Sequence, residues 1–140
     1  MGMDLNGAGG YFRWTNSEWG DVLALGKAFG WVPMGPGPPR GVLKADWQGG
    51  SYFGNDGQRF YARDARALAD ALERAVASIS EGRSPVRTRV ARATDYLEAK
   101  LMNKKVPRRG RVAVRKFGPE ELSLIREFTK FCRAGSFRIY

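Results

Sequence analysis

Histidine is absent from this chain, and cysteine occurs only once, at Cys132. An internal disulfide needs two cysteines, a Cys/His zinc site needs several such ligands, and the common serine and cysteine nucleophiles need a histidine base. These classes of site are therefore excluded together. No catalytic residue, metal ligand or cofactor is predicted, and we expect a protein that is not an enzyme.

Long apolar runs are lacking as well. No stretch approaches the roughly 18 apolar residues that a membrane-spanning helix needs, and the opening Met1-Gly2-Met3-Asp4 is too polar for a signal peptide. The 140 residues are 43% apolar and 27% charged, which is typical of a soluble globular domain. We therefore expect one cytoplasmic domain spanning residues 1–140, with no membrane attachment.

The net charge of +10 is confined to one part of the chain. Residues 83–116 contain twelve Lys or Arg and only two acidic residues, whereas the other 106 residues contain twelve of each sign. Aromatic residues show the opposite bias, since 11 of the 17 lie in the first 61 positions. The sequence thus predicts a charge-neutral, aromatic-rich body with a basic helix-loop module inserted at residues 83–116.

Turn and capping signals predict the first elements of the body. Residues 6–10 are rich in turn formers, and residues 11–14 are bulky enough for a short strand. Thr15 with Glu18 three positions later is a capping-box pattern, which predicts the start of a helix that ends at Gly30.

Glycine and proline interrupt the region that follows. Trp31-Val32 is expected to enter the core, and residues 33–41 contain four prolines and three glycines, which predicts an irregular loop. Residues 47–53 and 58–61 are predicted to pair as a hairpin around the turn signal Asn55-Asp56-Gly57.

Two further helices are predicted, one from an N-cap at Asp64 to about residue 80 and one that opens at Gly118-Pro119 and ends at Gly135. Their expected core residues are Ala65, Leu68, Ala69, Leu72, Val76 and Ile79 in the former, and Leu122, Ile125, Phe128 and Cys132, an inert buried thiol, in the latter. Residues 136–140 alternate at period two, which predicts a terminal strand that pairs with an earlier one. The predicted fold class is α+β: a small, mostly antiparallel sheet packed against three to four helices in a single compact domain.

The basic module has its own pattern. Ser84-Pro85 predicts the start of an amphipathic helix, and residues 104–111 predict a basic loop. Clustered Lys and Arg neutralise a polyanion, and the arginine fork suits phosphate. The candidate nucleic-acid or anion-binding residues are Arg87, Arg89, Arg92, Tyr96, Lys100, Lys104, Lys105, Arg108, Arg109 and Arg111.

Other patterns have ordinary explanations. Gly7-Ala8-Gly9-Gly10 lacks the glycine spacing of a dinucleotide loop, and a flexible turn is expected there. Ser51 has no histidine to activate it. Three aspartates that match no calcium loop, Asp46, Asp56 and Asp64, are expected in turn or cap roles.

Five large rings in the first half leave two interpretations open: Tyr11, Trp14, Trp31, Trp47 and Tyr52. Rings of this size usually fill the core, which is the favoured interpretation. Beside glycine-rich and proline-rich loops they could instead form a stacking platform or pocket for a base or small ligand.

The two ends and the centre of the chain carry a recognisable set of motifs. They are Met1-Gly2-Met3-Asp4-Leu5-Asn6-Gly7, Tyr11-Phe12-Arg13 with Trp19, Asn55-Asp56-Gly57, and Phe128-Thr129-Lys130-Phe131-Cys132-Arg133-Ala134-Gly135-Ser136-Phe137-Arg138-Ile139. Together they resemble small uncharacterised proteins of bacterial and phage genomes over roughly half of the chain. The resemblance implies no activity. The usual protein of this kind has a Gly-Gly pair at the positions where this chain has Gly135-Ser136. The resemblance does not extend to residues 83–116.

Two classes of function follow from these patterns. The first is a nonenzymatic protein that binds nucleic acid or another polyanion through residues 83–116. The alternative is a phage-type inhibitor, or a small-ligand or protein-interaction module, that acts on a host system and whose basic surface meets an acidic protein surface or a nucleotide. A solvated basic helix face, or attachment to an anionic membrane surface, would account for the same charges. The sequence does not indicate the oligomeric state.

Overall fold

A four-stranded antiparallel sheet and three helices make up the part of the chain that the computed structural model describes, residues 2–80 and 117–140. The strands are β1 (Gly2–Gly7), β2 (Gly10–Thr15), β3 (Arg59–Phe60) and β4 (Phe137–Ile139), in the order β2-β1-β4-β3. The helices are α1 (Asn16–Ala28), α2 (Ala62–Ser80) and α3 (Pro119–Ala134). This architecture confirms the predicted α+β class and the single compact domain.

The first strand, β1, is one that the sequence patterns missed. Met3 and Leu5 are its only large apolar residues, and its glycines, aspartate and asparagine are typical of turns. Both large side chains are buried nevertheless, because β1 lies in the middle of the sheet between β2 and β4. A loop is predicted at residues 6–10, but the structure has only a two-residue turn between β1 and β2. Gly10, the first residue of β2, has a φ of 95°.

The last strand confirms the prediction for residues 136–140. β4 inserts between β1 and β3, so that Leu5 lies opposite Ile139 and Phe60 lies opposite Phe137. The backbones of β1 and β4 approach closely at Gly7, where a Cβ atom would lie 2.5 Å from the Cα of Phe137. The two ends of the described chain therefore meet at the centre of the sheet.

The predicted hairpin between residues 47–53 and 58–61 is wrong. A short 3-10 helix (Lys44–Asp46) precedes an irregular segment, and β3 pairs with β4 instead. The buried Gln58 amide explains the difference. Its Nε2 atom donates to the carbonyls of Ser51 (2.8 Å) and Gly54 (2.5 Å), and its Oε1 atom accepts from the Asp56 N–H (2.8 Å). These bonds replace the ladder that a hairpin would need.

Helix α1 begins as predicted. Thr15 accepts a hydrogen bond from the Glu18 N–H, and the Glu18 side chain accepts one from the Thr15 N–H, which completes the capping box. Trp31 is buried and donates its backbone N–H to Gly26, as expected for a residue that enters the core. Val32 does not enter the core, because it points outward and is 77% exposed.

Helices α2 and α3 confirm the predicted apolar stripes, with one correction. Asp64 is not the N-cap, because α2 begins at Ala62 and Asp64 lies buried inside its first turn. All the predicted core residues of both helices are buried except Ile79, which is partly buried. Burial raises the pKa of the Cys132 thiol, which agrees with an inert side chain. Gly135 ends α3 with a φ of 138°.

Stacked aromatic rings fill the space between sheet and helices. The Phe60 ring lies 4.1 Å from that of Tyr52 and 4.5 Å from that of Phe137, measured between centroids. Trp14, Trp31 and Tyr52 are buried, which confirms the core interpretation for these three rings. The core interpretation is wrong for Tyr11, which is 57% exposed on the face of the sheet away from the helices, and Trp47 is only partly buried.

An exposed ion-pair cluster joins α2 to α3. Arg133 Nη2 lies 2.8 Å from the Asp70 carboxylate and 2.7 Å from Glu73, and Arg133 Nε donates to Glu73 at 2.9 Å. These bonds lower the pKa of Glu73. A carboxylate with a lowered pKa stabilises the fold above its unfolded pKa and loses that contribution as the pH falls through its folded pKa.

We expect Arg133→Gln to lower the free energy of unfolding at pH 7 by about 0.5 to 1 kcal/mol, since the cluster is solvent-exposed. The difference between variant and parent should shrink as the pH falls from about 5 to about 3. Urea unfolding at several pH values measures both effects. A difference that stays constant over this range would show that packing of the arginine stem, rather than the ion pair, is responsible.

Candidate functional site

The two faces of the sheet differ in chemistry. One face presents Met3, Leu5, Trp14 and Ile139 to the helices, and all four are buried. Because side chains alternate along a strand, the intervening residues lie on the opposite face. That face, here termed the open face, carries Asp4, Asn6, Tyr11, Arg13, Arg59, Arg138 and Tyr140, which are exposed or partly buried. The open face is therefore polar, aromatic and rich in arginine.

Strand register arranges the open face in cross-strand rows. Tyr11 lies opposite Asn6, Asn6 opposite Arg138, and Arg138 opposite Arg59, so one row crosses all four strands. With neighbouring strands about 4.8 Å apart, this row spans about 14 Å. A parallel row contains Arg13 and Asp4, followed by Tyr140, whose backbone exchanges two hydrogen bonds with Asp4 (2.7 and 3.0 Å).

A groove of about 770 Å³ lies along the open face. Its lining residues are Asn6, Gly7, Ala8, Gly10, Tyr11, Arg40, Arg59, Ser136, Phe137, Arg138 and Tyr140. Three of these are arginines, and within the described residues none of the lining side chains is acidic. Arginine stays protonated at any physiological pH, so the groove is permanently positive.

The arginines of the groove have different surroundings. Arg138 is partly buried, and its Nη1 atom donates to the carbonyls of Pro38 and Gly57, both at 3.1 Å, so it anchors the proline-rich loop to the sheet. Arg59 donates to Ser136 Oγ at 3.3 Å and lies 5.3 Å from the centroid of the Tyr61 ring. In residues 2–80 and 117–140, neither guanidinium forms an ion pair with a carboxylate. The carboxylates of these described residues therefore neutralise neither charge.

Two exposed rings border the groove. The Tyr11 hydroxyl donates to Asp4, which raises the pKa of Tyr11 and keeps the phenol neutral. Arg13 Nη1 lies 3.8 Å from the same carboxylate oxygen. Tyr140 is 43% exposed and stands beside Gly57, where a Cβ atom would lie 3.4 Å from its ring. Each ring therefore has a protein neighbour on one side, whereas a large part of its surface is exposed to solvent.

The residues that the sequence singled out for anion binding, from Arg87 to Arg111, lie outside the described part of the chain. The glycine-rich segment at residues 7–10 spans the last residue of β1, the two-residue turn and the first residue of β2, and Gly7, Ala8 and Gly10 line the groove. Ser51 accepts a hydrogen bond from the Phe53 N–H (3.2 Å), which is a turn contact. Within the described ranges, no three His, Cys, Asp or Glu side chains are grouped so as to hold a metal ion.

Sequence reasoning missed most of the open-face residues. The alternation of residues 136–140 does place Arg138 and Tyr140 on one side of a strand, so this pair could have been found. Arg40 and Arg59 had no such signal, because the segments that position them were predicted as loop and hairpin. Only the fold brings these four side chains to one groove.

A second polar centre is buried between loop and helix. Asp64, only 1% exposed, accepts hydrogen bonds from the backbone N–H groups of Met34 (2.9 Å) and Gly35 (3.2 Å) and from the Tyr52 hydroxyl. Burial, with a further contribution from Asp64, raises the pKa of Tyr52. Oδ2 of Asp64 accepts all three of these hydrogen bonds, and Oδ1 lies 3.0 Å from the Met34 N–H, so both carboxylate oxygens are occupied. This centre, here termed the Asp64 clamp, holds the proline-rich loop on α2.

The chain was compared with known proteins. No family model matches it, and neither the curated proteins nor the solved structures contain a match. In the described part of the chain, no helix combines the length and apolar character needed to cross a membrane.

Proposed function

We propose that this protein binds nucleic acid without catalysing a reaction, through the groove of the open face together with residues 83–116. The observation that carries the proposal is the set of arginines in the groove, Arg40, Arg59 and Arg138, with no acidic residue in the described lining. Such a groove attracts a chain of phosphates, and each phosphate bound releases condensed counterions.

The charge distribution supports the proposal. Residues outside 83–116 carry equal numbers of acidic and basic side chains, so a positive groove among them reflects the arrangement of charges by the fold. Residues 83–116 add ten net positive charges in the same chain. Ten net charges extend the electrostatic attraction for a polyanion well beyond the groove itself.

A polyphosphate alone would not use the other groups in the groove. Tyr11 and Tyr140 present aromatic surface, and the exposed Asn6 amide offers both a donor and an acceptor. Nucleic acids supply the matching groups, because each nucleotide combines a phosphate with a planar base that has hydrogen-bonding edges. The mixture of arginine, tyrosine and asparagine thus favours nucleic acid over a simple polyanion.

The alternative is a protein-interaction module, and one observation favours it. Val32, Met34, Leu43 and Phe53, in the region between α1 and β3, are each more than half exposed. Large apolar side chains in a protein interface supply much of its buried surface. A protein partner of this kind would be recognised at residues 32–53 and would bind with little dependence on salt.

Salt dependence of binding tests the proposal. If about five to seven phosphates are contacted, the logarithm of duplex DNA affinity should fall with the logarithm of salt concentration with a slope of about −5 to −6. The triple change of Lys104, Lys105 and Arg108 to alanine should reduce the magnitude of this slope by about 2 to 3. Fluorescence anisotropy with labelled DNA and RNA, and competition by heparin, measures both quantities.

A charge-matched control is available on other surfaces. Lys44, Arg66 and Lys130 are exposed and do not line the groove, so their triple change to alanine should alter the slope much less. Absence of binding to DNA, RNA and heparin at about 50 mM salt would refute the proposal, since electrostatic binding is strongest at low salt.

A further inference from the structure

We infer that the open face binds nucleic acid as a single strand, whose bases stack on Tyr11 and Tyr140 and whose phosphates contact Arg40 and Arg59. This inference rests on the proposed function and narrows its ligand to one structural class. It depends only on residues of the groove, so it can be tested separately from the contribution of residues 83–116.

The exposed rings favour a single strand over a duplex. Tyr11 is 57% exposed and Tyr140 is 43% exposed, and both line the groove. A base inside a duplex has both faces covered by its neighbours, whereas an unpaired base can lay its face on an aromatic side chain. Rings that stand at the surface of a positive groove are suited to unpaired bases.

Hydrogen bonds within the protein hold the Tyr11 ring and the Tyr140 backbone before any ligand arrives. The hydroxyl of Tyr11 is bonded to Asp4, and the backbone of Tyr140 is bonded to Asp4 on both its N–H and its carbonyl. Asp4 lies in β1, an interior strand of the sheet, and it fixes the hydroxyl of Tyr11 and the backbone of Tyr140. Groups that are already ordered lose little conformational freedom on binding, and more of the stacking energy therefore appears as affinity.

The row from Tyr11 to Arg59 gives the groove two ends of different chemistry. Tyr11 lies on the edge strand β2, and Arg59 lies on the opposite edge strand β3, with Asn6 and Arg138 between them. The Arg138 guanidinium already donates to two backbone carbonyls, whereas Arg40 and Arg59 are exposed. A strand that crosses the sheet would meet cations on the β3 side and an aromatic ring on the β2 side.

Binding of phosphates by arginine needs no aromatic side chain, so the contribution of base stacking on the two tyrosines can be measured separately from that of charge. An abasic oligonucleotide has the same phosphates as an oligothymidylate but no bases to stack. If stacking contributes about 1 to 3 kcal/mol per base, oligothymidylate should bind at least about fivefold more tightly than the abasic strand of equal length.

The experiment uses three labelled probes, each about 12 nucleotides long: oligothymidylate, the abasic strand and a duplex. The double variant Tyr11→Leu and Tyr140→Leu should bind oligothymidylate at least about fivefold less tightly than the parent and leave abasic-strand binding unchanged. Tyr11→Phe keeps the ring and loses only the hydroxyl, so it should retain most of the preference for bases. Phe53→Leu removes an exposed ring outside the groove and serves as the matched control.

A second pair of variants tests the cations. Arg40→Ala with Arg59→Ala should weaken binding of both single strands, whereas Arg66→Ala with Lys130→Ala, which removes the same charge elsewhere, should have a much smaller effect. Circular dichroism establishes that each variant is folded before binding is measured.

The outcomes separate the inference from the proposed function. Equal affinity for oligothymidylate and the abasic strand, or tighter binding of the duplex, would overturn the inference while leaving nucleic-acid binding intact. If the groove variants bind all three probes with the affinity of the parent, the inference is likewise overturned and nucleic-acid binding is left intact. Failure of the parent protein to bind any of the probes, or heparin, would overturn the proposed function as well.

Discussion

Asp64→Asn is expected to lower the free energy of unfolding by about 3 kcal/mol, the largest effect we predict for a single polar substitution in this fold. The carboxylate accepts hydrogen bonds from Met34, Gly35 and Tyr52 and is almost fully buried. Oδ2 accepts from all three donors, and the Met34 N–H also lies 3.0 Å from Oδ1. An asparagine with its NH2 group at the Oδ1 position would turn a donor toward the Met34 N–H, and with its NH2 group at the Oδ2 position it would oppose all three buried donors. In either orientation the neutral amide oxygen is a weaker acceptor than the carboxylate.

Chemical denaturation of variant and parent measures this effect. Tyr52→Phe removes one donor of the same clamp and should cost about 1 to 2 kcal/mol. Asp46→Asn changes an exposed aspartate in the 3-10 helix and should stay within about 0.5 kcal/mol of the parent. If Asp64→Asn were no more destabilising than Asp46→Asn, the clamp would not be what holds the proline-rich loop against α2.

Gly7→Ala is expected to lower the free energy of unfolding by about 2 to 3 kcal/mol. The new Cβ atom would lie 2.5 Å from the Cα of Phe137 and closer still to the Ser136 carbonyl. Both are backbone atoms at the N-terminal end of β4 or directly before it, so a side-chain rotation cannot relieve the overlap. The strands β1 and β4 would have to separate at the centre of the sheet, which weakens the pairing of Leu5 with Ile139.

Gly20→Ala is the matched control for this substitution. Gly20 lies within α1, and a Cβ atom there would meet no atom within 4 Å. Alanine is favoured over glycine inside a helix by up to about 1 kcal/mol, so this variant should be slightly more stable than the parent. Thermal unfolding of both variants distinguishes the close strand approach from a general effect of adding a methyl group. Equal stability of Gly7→Ala and the parent would contradict the strand contact.

The Gly7 position also connects stability to the groove. Gly7 lines the groove and is adjacent to Asn6, which lies between Tyr11 and Arg138 in the cross-strand row. Separation of β1 from β4 would therefore move the tyrosine side of the groove away from its arginine side.

Interactions over three to four residues explain which elements the sequence predicted well. The capping box of Thr15 and Glu18 and the Pro119 start of α3 depend on neighbours within one helical turn. The apolar stripes of α2 and α3 repeat with the helical period, and their members are buried with one partial exception. Such signals are complete within a short window of sequence.

Missed elements depend on partners that are distant along the chain. β1 is a strand because β2 and β4 pair with it on both sides, although few of its residues favour a strand. Residues 47–57 are irregular because the side chain of Gln58 satisfies their backbone groups. The predicted division into a body and a basic module at residues 83–116 stays a prediction, as do the binding residues within it.

The sequence by itself shows the absence of histidine, the single cysteine and the net charge confined to residues 83–116. It also predicts the helices, because their caps and apolar stripes are local patterns. Only the tertiary structure decided where the remaining charges lie relative to one another. Arg40, Arg59 and Arg138 come from three separate segments and reach one groove because β4 pairs with both β1 and β3. Local sequence signals act over a few residues, whereas strand register joins positions that are more than a hundred residues apart, so the open face exists only in the folded chain.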